Sequence, residues 1–209
     1  MKSLSLTNLY EKKFKTFAFE GIWAETFGTP EVGGIWLVYG AEKHGKTWFC
    51  LKLAEYLSKF KPTLYVSAEE GTGLTFIEAC KRANLDTKNR KLNFLEYTDL
   101  NDIRSKISKR RGPKVMVIDN ITVYQDELKN GTLRKLTQEF ENILFVYIAH
   151  EQDNEPYTAT AKMAKRLAKI IVRVEGLAAR VSGRCPGGVL NIDENKALIY
   201  HGTTLNPNP

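Results

Sequence analysis

The residues best able to do chemistry are Gly40-Ala41-Glu42-Lys43-His44-Gly45-Lys46-Thr47, a complete match to G-x-x-x-x-G-K-[ST]. The apolar run Ile35-Trp36-Leu37-Val38-Tyr39 precedes them, and Phe49, Cys50, Leu53, Ala54 and Leu57 follow at helical spacing. Strand, glycine loop and helix in that order aim successive backbone N–H groups and a helix N-terminus at one point, where they attract a phosphate. Lys46 then reaches the β- and γ-phosphate oxygens, the Thr47 hydroxyl ligates Mg2+, and Trp48 closes the binding segment. The expected ligand is ATP with Mg2+.

Two carboxylates extend this chemistry. Val115-Met116-Val117-Ile118 is an apolar strand that ends on Asp119, a rigid mount for a metal-orienting acid. Ser67-Ala68-Glu69-Glu70-Gly71 ends the strand after the first helix, where a carboxylate can orient or deprotonate the water that attacks the γ-phosphate. Read by spacing alone, Asp119 could equally cap a turn, and the acid pair could open a helix in solvent.

These residues need elements to hold them, and the chain supplies strands and helices in alternation. Thr63–Ser67, Leu92–Tyr97, Val115–Asp119 and Ile143–Ala149 read as strands. Leu74, Ile77 and Cys80 mark a helix between the first two, Leu100, Ile103 and Ile107 the next, and Leu133 to Phe140 another. The helix ending at Lys109-Arg110-Arg111, before Gly112-Pro113, has its cations where the helix dipole favours them. Such alternation predicts a mostly parallel sheet wrapped by helices. After Lys169 the pattern changes to short strands at Ile170–Val174, Ala179–Val181, Val189–Ile192 and Ala197–His201, an antiparallel tail.

Composition narrows the class. With 209 residues, 43% of them apolar and 26% charged, the chain is sized for one globular domain. Its 31 basic against 24 acidic side chains give a formal charge of +7, which favours polyanionic partners. Cys50, Cys80 and Cys185 lie far apart without metal-ligand spacing and read as reduced thiols of a cytoplasmic protein. No apolar window has the length of a membrane span, and the N-terminus lacks the character of a signal peptide.

Together, the phosphate loop, Glu69 and Asp119 resemble the RecA-like branch of P-loop NTPases, which includes RecA and RadA recombinases, DnaB-type helicases and KaiC-type ATPases. The resemblance runs from about Val32 to His201. It implies a three-layer αβα core with a C-terminal antiparallel hairpin extension. It also implies Glu69 as catalytic base, Asp119 as metal carboxylate and His150 as a polar sensor near the γ-phosphate. Arg184, in Ser182-Gly183-Arg184, falls where relatives present a finger to the neighbouring subunit's nucleotide, although Ser182 stands in place of the usual lysine. A homo-oligomer follows, either a hexameric ring or a filament.

The same resemblance directs single-stranded DNA to the loop Glu151 to Thr160 and the helix after it, through Tyr157, Lys162, Lys165, Arg166 and Lys169. The expected organisation is an N-terminal segment over 1–31, an ATPase domain over 32–204 and a tail over 205–209. With so short an N-terminal segment, the chain is similar to core-only members from phage or mobile-element recombination. The expected function is Mg2+-dependent ATP hydrolysis on single-stranded DNA in recombination, annealing or replication. The alternative is a KaiC-like regulatory or helicase-loader ATPase that acts on a protein partner without DNA.

Overall fold

In the computed structural model, which describes residues 3–202, the strands join one twisted sheet. The chain begins with the short helices α1 (Leu6–Tyr10) and α2 (Gly21–Phe27) and enters the sheet at β1 (Gly34–Gly40). It continues through α3 (Lys46–Ser58), β2 (Thr63–Ser67), α4 (Leu74–Arg82), β3 (Leu92–Glu96), α5 (Leu100–Ser108) and β4 (Val115–Asp119). A 3-10 turn (Ile121–Tyr124), α6 (Gln125–Leu128) and α7 (Thr132–Glu139) lead to β5 (Leu144–Gln152). Then come β6 (Glu155–Pro156), α8 (Ala159–Leu167), β7 (Ile170–Glu175), β8 (Ala178–Gly183), β9 (Gly188–Asn191) and α9 (Glu194–His201). The expected tail over 205–209 lies outside the described residues.

The sheet order is β3-β2-β4-β5-β1-β7-β8-β9. The strands from β3 to β7 in that order run parallel, and β8 and β9 add the antiparallel extension. Alternation along β1 sorts the two faces. Trp36 and Val38 meet Phe49, Leu53 and Leu57 of α3, while Ile35, Leu37 and Tyr39 face the core formed with Ile103, Leu133, Leu136 and Ala161. Helices therefore cover both faces in the three-layer αβα arrangement. No helix among the described residues is long and apolar enough to cross a membrane.

Four details differ from the sequence reading. Ala197–His201 is helix α9 rather than a strand, because Asp193 caps the Lys196 amide and Gly202 closes the end at φ 68°. Strand β5 continues past His150 to Gln152, so the stretch after it is a tight hairpin and not an open loop. Asp153 and Asn154 both take positive φ there, which suits a two-residue turn between twisted strands. In α4, Leu74 is 71% exposed and Ile77 46%, since Phe76, Ala79, Cys80 and Ala83 form the core-facing stripe. The fourth concerns residues 16–28, which add to the core: Thr16 bridges Glu31, and Phe17 and Phe19 pack among Trp36, Tyr56 and Phe60 at ring separations of 5.1–6.4 Å.

Phe17 is buried against β1 and the end of α3, so Phe17→Ala should cost about 3 kcal/mol of folding stability in urea titration. A loss below about 1 kcal/mol would show that this segment is not part of the cooperative core.

Candidate active site

The phosphate loop is built by close approach. Gly40 ends β1 so near to β7 that a Cβ there would collide with the Val174 carbonyl, which leaves glycine as the residue that fits. At the other end Gly45, at φ 100°, caps α3 without a side chain and leaves the first amides of the helix facing the loop. Glu42 and Lys43 form its exposed tip. Lys46 is only 8% exposed, and its ammonium donates to the Ala41 carbonyl at 2.7 Å. Burial lowers its pKa from the ordinary lysine value, and nearby Asp119 opposes that shift.

A second layer holds the loop in place. His44 Nδ1 accepts from the Gly176 amide at 2.9 Å, and the His44 carbonyl accepts from Leu177 N at 3.2 Å. Tyr200 of α9 packs on Gly176 and meets the His44 ring edge-on at 5.5 Å. Trp48 lies one residue past the loop, with Lys52, Arg82 and Lys196 between 5.4 and 5.9 Å from its ring.

The carboxylates come from adjacent strands. Asp119 Oδ2 accepts from Thr47 Oγ1 at 3.2 Å and from Tyr65 OH at 2.6 Å. Burial raises its pKa to about 6; the two hydrogen bonds oppose this, and the charges of Glu70 and Glu69 add to it. One hydroxyl and one carboxylate oxygen placed together form a hard-oxygen pair of the kind that suits Mg2+, and Thr47 and Asp119 are the residues that would hold such an ion.

Beside this pair, the Asp119 carbonyl accepts from Ala68 N at 2.6 Å and Glu69 N at 3.1 Å. Of the two neighbouring acids, Glu69 is the one that meets His150, whose Nε2 lies 3.1 and 3.2 Å from its carboxylate oxygens. Asn120 Nδ2 donates to the same carboxylate at 3.2 Å. Thus Lys46, Thr47, Asp119, Glu69 and His150 gather at the C-terminal ends of β1, β2, β4 and β5, where open parallel sheets bind ligands.

The remaining candidates lie elsewhere. Arg184 is exposed and follows β8 where Gly183 pairs with Ile170, so it sits at the opposite end of the sheet from its own loop. Lys169 is at that end too, ion-paired with Glu31 at 2.6 Å. Lys165 pairs with Glu155 of the hairpin at 2.8 Å, whereas Lys162 and Arg166 are exposed, as is Tyr157 at 60%.

Three contributors had little signal in the sequence. Tyr65 reads as an ordinary strand aromatic, and Asn120 as a turn residue after an acid. The Gly176–Tyr200 contact depends on a helix read as a strand.

No family model matches the chain, and no curated protein matches it. Among solved structures, the flagellar accessory protein FlaH from Methanocaldococcus jannaschii is similar at 15% identity and a TM-score of 0.59. The match covers 86% of this chain and 92% of that one. The chain has a RecA-like fold.

The raised pKa of Asp119 has a consequence for stability. Between its unperturbed value of 3.8 and about 6, the folded protein holds this proton more tightly than the unfolded chain, so the group's contribution declines as pH rises through that window. Asp119→Asn should therefore stabilise the nucleotide-free protein at pH 8, by on the order of 1–3 kcal/mol, and by less at pH 5. Thermal unfolding at the two pH values tests this; a difference independent of pH would refute it.

Proposed function

We infer that the chain is a Mg2+-dependent ATP hydrolase of RecA-like type whose turnover responds to single-stranded DNA. The observation that carries the hydrolase reading is the grouping of Lys46, Thr47, Asp119 and Glu69 around the end of the phosphate loop. Bound Mg2+ would neutralise charge on the β- and γ-phosphates. Lys46 and the α3 amides bind the phosphate chain. Glu69 orients a water for in-line attack and accepts its proton as the new P–O bond forms and the bond to the β-phosphate oxygen breaks. His150, in contact with Glu69, is the proposed sensor of the γ-phosphate.

The DNA reading is supported by continuity. Strand β5 runs from His150 straight into the hairpin, and Tyr157 N returns to donate to the His150 carbonyl at 2.9 Å. Exposed Tyr157, Lys162 and Arg166 would supply stacking and phosphate contacts to a strand lying there, and the +7 charge of the chain favours polyanions. Strand binding at the hairpin would reach Glu69 through one histidine. Arg184, remote from its own loop, would serve a neighbouring subunit in a ring or filament. Recombination, annealing or replication is the process class this reading serves.

Phosphate release with and without single-stranded DNA tests the proposal. Lys46→Ala should abolish turnover, and Glu69→Gln should lower it by roughly 100-fold while ATP still binds. Single-stranded DNA should raise the wild-type rate, and Lys162→Glu with Arg166→Glu should remove that stimulation. Wild-type turnover in Lys46→Ala would sink the hydrolase reading. Turnover indifferent to DNA would leave an ATPase whose partner is a protein.

A further inference from the structure

The geometry points to Asn120 as a positioning residue for the Glu69 carboxylate, a role that the phosphate-loop motif does not require. This inference rests on Glu69 being the base of the proposed hydrolysis. Asn120 is 1% exposed, and its two amide atoms are both used. Its Oδ1 accepts from the Thr122 amide at 2.8 Å, at the start of the 3-10 turn. That contact fixes the orientation of the amide, so Nδ2 faces Glu69 Oε2, to which it donates at 3.2 Å.

Two consecutive residues of one strand end therefore hold Glu69 from both sides. The Asp119 carbonyl anchors its backbone amide and Asn120 anchors its carboxylate. His150 approaches the same carboxylate from β5. The Glu69 side chain is 45% exposed, so packing alone does not choose its rotamer. A base must present one lone pair to one water, and loss of that geometry costs rate even where chemistry and binding groups are intact. Asn120 supplies the fixed direction through a hydrogen bond to a charged acceptor, the stronger kind.

Asn120 also caps a turn, and the experiment has to separate the two roles. Asn120→Asp keeps the capping oxygen but replaces the donor by a second acceptor. Asn120→Ser keeps a capping hydroxyl that is too short to reach Glu69, and Asn120→Ala removes both contacts. Steady-state kcat and KM for ATP would be measured for these variants, with thermal unfolding and binding of a fluorescent ATP analogue in Mg2+ as folding controls. The Ala and Ser variants should lose roughly tenfold in kcat with KM changed less than about twofold, and the Asp variant at least as much. In a Glu69→Gln background, Asn120→Ala should cost less than about twofold, because its effect is routed through the missing carboxylate.

An Asp variant with wild-type kcat would reduce Asn120 to a cap and overturn the proposal. An equal loss in both backgrounds would do the same, since the residue would then act independently of Glu69. Wild-type turnover in Glu69→Gln would remove the base assignment itself, and the positioning role with it. Failure at Asn120 with Glu69→Gln inactive would leave the hydrolase reading in place.

Discussion

The burial of Asp119 is the constraint on which the site depends. A carboxylate 8% exposed at the end of a central strand is expensive unless its oxygens are bonded, and the structure supplies two donors from different elements. Thr47 donates from the first turn of α3, and Tyr65 from the middle of β2. Tyr65 is itself buried beside Phe76 and Phe94, with ring centroids 5.6 and 5.9 Å away. Core packing under α4 therefore sets where a hydroxyl meets the acid. Burial pushes the Asp119 carboxyl up to about 6, against the opposing pull of the two hydrogen bonds.

The antiparallel extension completes the phosphate loop. Val174 of β7 lies against Gly40, the β7–β8 turn donates to His44 Nδ1 and to the His44 carbonyl, and Leu177 packs on Gly45. Helix α9 presses on that turn through Tyr200, and His201 Nε2 lies 3.1 Å from the Glu175 carbonyl. A loop with an exposed tip and positive φ at Lys43 and Gly45 would sample many conformations alone. Held at His44 and Gly45 by a turn against which α9 packs, the loop is restricted to one shape.

Sequence periodicity made the parallel core and its helices legible, because fully buried strands such as Val115–Ile118 and Ile143–Ala149 leave unbroken apolar runs. The phosphate loop was legible through its complete motif, whereas spacing alone left Asp119 and Glu69 open to a turn cap and a solvated helix start, and their candidate roles came from the resemblance. The failures share a cause: each lies where a few specific contacts outweigh the local pattern. Ala197–His201 has an apolar content that fits either a strand or a helix, and the decision is made by the Asp193 cap and Gly202. Leu74 and Ile77 look like core residues until Phe76 claims that face. Asn120 and Tyr65 act through hydrogen bonds 51 and 54 residues away in sequence, for which no periodicity exists.

The hairpin after His150 shows how pairing within the chain shapes its electrostatics. Glu151 takes Arg173 in a bidentate pair at 2.9 Å, and Glu155 takes Lys165. These contacts fix the hairpin and occupy cations that a count of basic residues would assign to a polyanion. A phosphate reaching Lys165 would have to displace a carboxylate, exchanging one anion for another with little net gain. Only cations that otherwise hold mobile counterions give the entropic release that makes nucleic-acid binding salt-dependent. On this helix those are the exposed Lys162 and Arg166, so the electrostatic part of any strand affinity here is concentrated on these two side chains. Tyr157, 60% exposed at the base of the hairpin, would have to carry much of the rest by stacking.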